Sequence, residues 1–146
     1  MTRSQFLAVF LLAAAPLLPA QSAKSGVVRP LSEAQLAPDE DRKCLQSALE
    51  NGDPATGPST FVLKAPPGCR VPWHFHTAEE QLIVVSGTVL TEMEGMPPRT
   101  LGAAGFALMP GKVKHQFSCE SKQSCILFVT FNRAYDIVWV HDDAGK

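Results

Sequence analysis

The chain has 146 residues, of which 45% are hydrophobic and 18% are charged, and its formal net charge at pH 7 is −1. This length and composition are typical of one globular domain with its own core, so no second domain is needed. The basic side chains form no clustered run. We therefore expect no nucleic acid and no anionic membrane as a partner, because such binding needs a clustered basic surface.

The N-terminus has the composition of a secretory signal peptide. Arg3 lies near the first methionine, and a short apolar segment, residues 6–18, ends close to the small residue Ala20. We expect residues 1–20 to be a signal peptide cleaved near Ala20, with Ala23 as a second candidate, and the mature protein to be secreted or periplasmic and free of the membrane. The alternative is a core strand or an uncleaved anchor, although the segment is short for the roughly 20 residues of a spanning helix.

Residues 21–58 show little periodicity and contain several prolines. They predict an N-terminal extension with a short strand or turn near residues 44–49. From Ser59 onward, apolar segments recur with turn residues between them, which predicts an all-β barrel or sandwich over residues 59–141 and a flexible tail at residues 142–146. The expected later strands are residues 59–64, 81–85, 88–94, 99–101, 105–109, 115–118, 125–131 and 135–140. The strand at 125–131 is nearly all apolar, which predicts burial on both faces.

His74 and His76 lie two residues apart in a segment that alternates polar and apolar side chains. In a strand both imidazoles point to one face, with Cα atoms roughly 6.6 Å apart, so both rings can bind one ion. Glu80 can join them only if the chain folds back over residues 77–79, since a straight strand would carry it about 13 Å past His76. The returning strand ends in a turn at Gly87, where glycine supplies the unusual dihedral angles. This spacing indicates a metal site.

The full spacing from Gly68 to Gly87 is Gly-x5-His-x-His-x3-Glu-x6-Gly. It matches the first motif of the cupin superfamily, and residues 105–119 resemble the second motif, with Pro110 and His115 correctly spaced. There are three departures from the second motif. Gly105 is one residue too close to the proline, glycine stands at 111 instead of two residues after the proline, and Cys119 replaces an asparagine. The resemblance implies a small exported cupin, an all-β jelly-roll barrel (double-stranded β-helix).

By this resemblance the ligands of a divalent transition metal would be His74, His76, Glu80 and His115. Three of the four histidines in the chain occupy these positions. Three imidazoles and one carboxylate suit Fe, Mn, Ni, Cu or Zn. The alternative is a barrel of the same fold whose site is empty or vestigial. The resemblance also implies a homodimer, because cupins commonly pair.

Four cysteines remain in an exported chain, and three pairings are possible. Cys119 and Cys125 flank a polar run between two apolar segments, so a disulfide between them is the local choice. Cys44 with Cys69 would then tie the N-terminal extension to the barrel. Four buried free thiols are the alternative.

A three-histidine, one-carboxylate set leaves coordination positions open for water, dioxygen or a chelating substrate. A small barrel can hold such an ion and one small molecule. The aromatic and sulfur side chains available for its walls are Met93, Phe106, Phe117, Phe128, Phe131 and Trp139. The resemblance implies an enzyme of dioxygenase, isomerase or lyase type acting on a small oxygenated substrate, with no catalytic acid or base assigned. The alternatives are a non-catalytic module that binds a metal or a small ligand, and a structural barrel without an occupied site.

Overall fold

The computed structural model describes residues 26–140 of the chain. The signal peptide predicted at residues 1–20 and the tail predicted at residues 142–146 lie outside these residues. Between residues 26 and 140, no helix is long and apolar enough to cross a bilayer.

The described part of the chain contains eleven β-strands and a single turn of 3-10 helix at Leu31–Glu33. The strands are β1 (Ala37–Pro38), β2 (Gln46–Gly52), β3 (Ser59–Ala65), β4 (Arg70–Phe75), β5 (Glu80–Ser86), β6 (Val89–Met93), β7 (Arg99–Leu101), β8 (Phe106–Met109), β9 (His115–Cys119), β10 (Cys125–Phe131) and β11 (Val138–Trp139).

These strands pair into two antiparallel sheets. One sheet has the order β1-β2-β3-β10-β5-β8, and the other has the order β11-β4-β9-β6-β7. The all-β jelly-roll prediction is therefore confirmed. Strands β4 and β5 belong to different sheets, so the chain crosses from one sheet to the other between His76 and Glu80. This crossing is the fold-back that the spacing of those two residues requires.

The core lies between the two sheets, and burial alternates most clearly along β5 and β10, whereas all five residues of β9 are buried. In β10, the side chains of Cys125, Leu127, Val129 and Phe131 are buried, whereas the residues between them are only partly buried. The prediction that this strand is buried on both faces is therefore wrong for its outer face. A sheet in a two-layer sandwich packs against one partner layer, so the other face is open to solvent even at a central strand.

Strand β2 lies within the predicted N-terminal extension and is longer than the short strand expected there. It pairs with β3 from Gln46 to Gly52, with a register shift between Leu49 and Asn51. Residues 46–52 thus add a strand to the six-stranded sheet, although their sequence shows little apolar alternation.

Two disulfides link the sheets to each other. Cys44, before β2, is bonded to Cys69, before β4, and Cys119, in β9, is bonded to Cys125, in β10, with Cα separations of 5.6 and 5.8 Å. Both predicted disulfides are therefore present, and the alternative of four free thiols is wrong. Each bond joins a segment of the six-stranded sheet to a segment of the five-stranded sheet.

Candidate metal centre

The four predicted ligands come together between the sheets. His74 lies in β4 and His76 directly follows it, Glu80 is the first residue of β5, and His115 is the first residue of β9. All four side chains are buried, with 2 to 5% of their surface exposed. One potential ligand atom from each lies within 4.8 Å of the others. The five-stranded sheet therefore presents three imidazoles to a carboxylate from the opposite sheet.

A β-bulge at Pro72 sets the direction of His74. Val71 pairs with Phe117 and His74 pairs with His115, so β4 has one more residue than β9 over this stretch. Proline has no N–H to donate to a ladder and is tolerated at a bulge. The bulge lets Val71 and His74 both face the interior, although strict alternation would place them on opposite faces.

Two of the histidines have the same local hydrogen bond. The Nδ1 atom of His74 lies 2.7 Å from the carbonyl oxygen of Pro72, and that of His115 lies 2.9 Å from the carbonyl oxygen of Val113. A carbonyl can only accept, so each Nδ1 carries the proton and donates it. The lone pair is then on Nε2, which for His115 lies 3.3 Å from the Glu80 carboxylate.

His76 is held by a residue far along the chain. Its Nδ1 donates to the backbone carbonyl of Asp136, and the Asp136 carboxylate accepts a hydrogen bond from the Thr77 amide at 2.7 Å. The strand predicted at residues 135–140 is wrong in extent, because only Val138–Trp139 pairs, with β4. Residues 135–137 bind the histidine loop instead. Asp136 could not be predicted from its residue type, because its backbone carbonyl, which every residue carries, makes the contact with His76.

Aromatic rings pack around the histidines. Phe131 lies 4.9 Å from His76 between ring centroids, and Tyr135 and Trp139 each lie 5.4 Å from a histidine ring, those of His76 and His74 respectively. The Tyr135 hydroxyl donates to Asp41 at 3.2 Å, and the Arg42 guanidinium lies 5.8 Å from the centre of the tyrosine ring. The N-terminal extension therefore covers one side of the site through Tyr135.

The predicted wall residues divide by strand parity. Phe131 and Trp139 reach the site, and Met93 lies beside it as the cross-strand partner of His115. Phe117 is buried in the core one row away. Phe128 is paired with Ile83, which is 46% exposed, and Phe106 is 55% exposed. These last two residues do not pack against the histidine rings of the metal site.

The atoms at the centre are unsatisfied as they stand. Oε2 of Glu80 lies 3.0 Å from Nε2 of His76 and 3.3 Å from Nε2 of His115, but none of the three atoms has a hydrogen-bond partner. With the protons on Nδ1, all three are acceptors whose lone pairs face one another. A proton or a cation must lie among them, and donors about 3 Å apart suit metal bonds of roughly 2.0 to 2.2 Å. The residues fit a divalent metal.

Burial and mutual contact shift the pKa values of Glu80, His74 and His115 in different directions. Burial opposes ionisation of Glu80, but the neighbouring His115 and His76 hold the pKa of its carboxyl well below the usual range. Burial, followed by repulsion from His115, lowers the pKa of His74 to about 4. For His115 burial also acts downward, yet the Glu80 carboxylate outweighs it and raises the imidazole pKa. Once its imidazoles have lost their protons, the set offers one negative charge and nitrogen donors, as a divalent cation requires.

The Cupin domain family model matches residues 61–131, which include all four of these side chains. The chain belongs to the cupin superfamily. Comparison with curated proteins found no match.

Several solved structures have a similar fold. An RmlC-like cupin from Shewanella frigidimarina NCIMB 400 is 19% identical with a TM-score of 0.62, over 75% of this chain and 93% of that one. The polyketide cyclase RemF from Streptomyces resistomycificus is 16% identical with a TM-score of 0.66, over 82% and 89%. The DMSP lyase DddQ from Ruegeria pomeroyi DSS-3 is 20% identical with a TM-score of 0.62, over 81% and 62%. At these identities the similarity shows the cupin fold and carries no activity over to this chain.

Proposed function

We propose that this protein is an exported metal-binding cupin and an enzyme that acts on a small oxygenated substrate. The observation that carries the proposal is the set of Nε2 atoms of His76 and His115 and the Glu80 carboxylate, buried together without hydrogen-bond partners. Leaving such acceptors unpaired is costly, so a cation that all of them bind accounts for their arrangement. The ligands would be His74, His76, Glu80 and His115.

A bound Fe, Mn, Ni, Cu or Zn ion would supply a Lewis acid or a centre for dioxygen activation, which suits a reaction of dioxygenase, isomerase or lyase type. The protein's own contribution is to hold the donor atoms. The Nδ1 hydrogen bonds orient the imidazoles, and the Glu80 charge offsets part of the ion's charge. Phe131 and Trp139 keep water away from the rings and favour a small substrate with an apolar part.

A non-catalytic function, the binding of a metal or a small ligand, is the second candidate. One observation favours it. The Tyr135 ring packs against His76, but the Tyr135 hydroxyl donates a hydrogen bond to Asp41. It is therefore not free to transfer a proton at the metal. Catalysis by acid and base needs such a group within hydrogen-bond reach of the substrate.

The test is metal content after expression of the full chain. We expect about one equivalent of transition metal in the purified parent and little in His76→Ala, with unchanged circular dichroism, because one of the four donors is lost. His141→Ala, which removes the one histidine outside the motif positions, is the matched control and should keep its metal. Equal metal content in His76→Ala and the parent would refute the ligand assignment.

Oxygen uptake with catechols, flavonoids and thiols then separates the two candidate functions. Turnover that requires His76 supports the enzyme. A fully loaded protein that turns over none of these compounds, and no isomerisable or eliminable analogue of them, supports the binding module.

Export and pairing complete the proposal. Two disulfides are typical of an oxidising compartment, which supports secretion or a periplasmic location after cleavage near Ala20. Mass spectrometry of the exported protein would locate the cleavage site.

On the outer face of β5, Ile83 and Val85 are 46% and 41% exposed, which supports a homodimer through this face. Sedimentation should show a dimer for the parent and a monomer for Ile83→Lys.

A further inference from the structure

A cavity lies where the edges of the two sheets face each other. Strands β7 and β8 are the edge strands of the five-stranded and six-stranded sheets, and together with β6 and its following loop they enclose about 300 Å³. That volume is at the lower end of the range for small-molecule sites. The walls are mostly apolar and include Met93, Leu101 and Phe106.

One polar atom in this cavity has no partner. The Thr91 side chain lines the cavity and is 7% exposed, and its Oγ1 forms no hydrogen bond with any described residue. Buried hydroxyls in proteins are almost always hydrogen bonded. An unpaired, buried Thr91 hydroxyl on an apolar wall therefore points to a ligand that carries an oxygen or nitrogen atom.

The same wall carries a single positive charge. Arg99 is the cross-strand partner of Thr91, so the two side chains share one face of the sheet and are neighbours on it. Arg99 is the one charged residue among those that line the cavity, and within residues 26–140 it forms no ion pair. A guanidinium that is free in this way can bind a carboxylate through two parallel hydrogen bonds.

The cavity adjoins the metal centre. Met93 lines the cavity and is paired directly with the ligand His115 across β6 and β9, and Thr91 lies two residues from Met93 on the same face. Across the sheet, the row of Arg99 and Thr91 is thus next to the row of Met93 and His115. A molecule held by the first row would extend past Met93 toward the metal.

We propose that this cavity binds a small organic anion, a compound with an apolar body and one carboxylate. The carboxylate pairs with Arg99 and the Thr91 hydroxyl, and the apolar body packs on Met93, Leu101 and Phe106. The proposal rests on the proposed function in one respect: the bound anion would be the substrate or ligand of the adjacent metal centre.

The test compares two probes of the same shape, 3-phenylpropanoate and 3-phenylpropan-1-ol, by titration of ¹⁵N-labelled protein followed in amide spectra. We expect the acid to bind at least about tenfold more tightly than the alcohol, with the largest shifts in residues of β6, β7 and β8. Arg99→Gln should reduce acid binding to the level of the alcohol, and Thr91→Val should weaken it by about threefold. Arg133→Gln, an exposed arginine outside the cavity, is the matched control and should leave both affinities unchanged.

Several results would overturn the inference. These are failure of the acid to bind, equal affinity for acid and alcohol, an unchanged acid affinity in Arg99→Gln of parental melting temperature, or shifts confined to other strands. The same titrations in metal-free His76→Ala separate this inference from the proposed function. Acid selectivity without any bound metal in the parent would support the cavity and reject the metal enzyme. A loaded metal centre without acid selectivity would reject the cavity alone.

Discussion

Each of the three histidines of the proposed metal site has one ring nitrogen already hydrogen bonded before an ion would bind. For His74 and His115 the acceptor is the carbonyl two residues earlier, and for His76 it is the carbonyl of Asp136. Protons therefore compete with the metal at Nε2. The strength of that competition differs among the rings, because Glu80 raises the pKa of His115 while burial lowers that of His74.

We predict that metal affinity falls as the pH is lowered, and that the fall begins above the ordinary imidazole pKa of 6.5. His115 must be neutral to bind, and in the metal-free protein its raised pKa keeps the proton on the ring at higher pH. Below that pKa the dissociation constant should rise by about tenfold per pH unit. Competition of Zn²⁺ with a chromophoric chelator between pH 5.5 and 8 measures this, and a constant affinity across the range would contradict it.

The variant Glu80→Gln provides the control for that reasoning. Without the carboxylate, burial is the main influence left on His115, so its imidazole pKa in the metal-free protein should fall below the parental value. Proton NMR of the histidine rings follows the titration directly. An unchanged His115 pKa would show that Glu80 is not the cause of the upward shift.

The grouping of His74, His76, Glu80 and His115 could be predicted from the sequence, because their spacing is fixed by strand geometry and by the motif. Their hydrogen-bond partners could not. The acceptors are the backbone carbonyls of Pro72, Val113 and Asp136. Every residue carries a carbonyl, so the residue type does not reveal this role. Pro72 indicates some irregularity of the strand, but the sequence alone does not specify a bulge, since a proline there also fits an edge or a turn.

At the level of the elements, the turn between β8 and β9 packs against the loop that carries His76. The Lys112 amide donates to the His76 carbonyl at 2.7 Å. A Cβ atom added to Gly111 would lie 2.6 Å from the Thr77 carbonyl oxygen. This close approach of two backbones explains why a glycine stands at 111.

We predict that Gly111→Ala destabilises the fold and weakens metal binding. The added methyl group would push the turn away from the loop between β4 and β5, at a cost of about 1 to 3 kcal/mol in the free energy of unfolding. Gly102→Ala is the matched control, because a Cβ there meets nothing within 4 Å. Urea unfolding with and without Zn²⁺ measures both effects, and equal stability of the two variants would contradict the packing argument.

The departures from the second cupin motif preserve its backbone. The motif glycines fall at positions 104 and 112 of this chain, which hold Ala104 and Lys112, and both residues have left-handed φ angles, 65° and 68°. Left-handed backbone costs a residue with a Cβ about 1 kcal/mol or more. The turn geometry is thus kept without the glycines that usually favour it.

It follows that Lys112→Gly should stabilise the protein, in contrast to Gly111→Ala one residue earlier. We expect a gain of up to about 1 kcal/mol in the free energy of unfolding, reduced by the greater freedom of glycine in the unfolded chain. Urea denaturation of parent and variant decides the sign. A loss as large as that of Gly111→Ala would mean that the Lys112 side chain, and not the backbone, matters at this turn.

Across the whole molecule, connections between the two sheets recur. Both disulfides join one sheet to the other. The proposed metal ligands do the same, with Glu80 on the six-stranded sheet and three histidines on or next to the five-stranded sheet. The strand cadence after residue 59 was sufficient to predict this two-layer architecture. The full extent of β2 was not predictable, because residues 46–52 are mostly polar and their strand pairing with β3 is made by the backbone.

Because the ion would bind across both sheets, it should stabilise the molecule as a whole. A ligand that binds only the folded protein adds about 2.7 kcal/mol at a free concentration of 100 times its dissociation constant. For a domain of this size we predict a rise in Tm of roughly 10 °C on adding Zn²⁺ to the metal-free parent. His141→Ala should show the same rise, whereas His76→Ala should show almost none. A rise of equal size in His76→Ala would place the stabilising ion somewhere other than between the sheets.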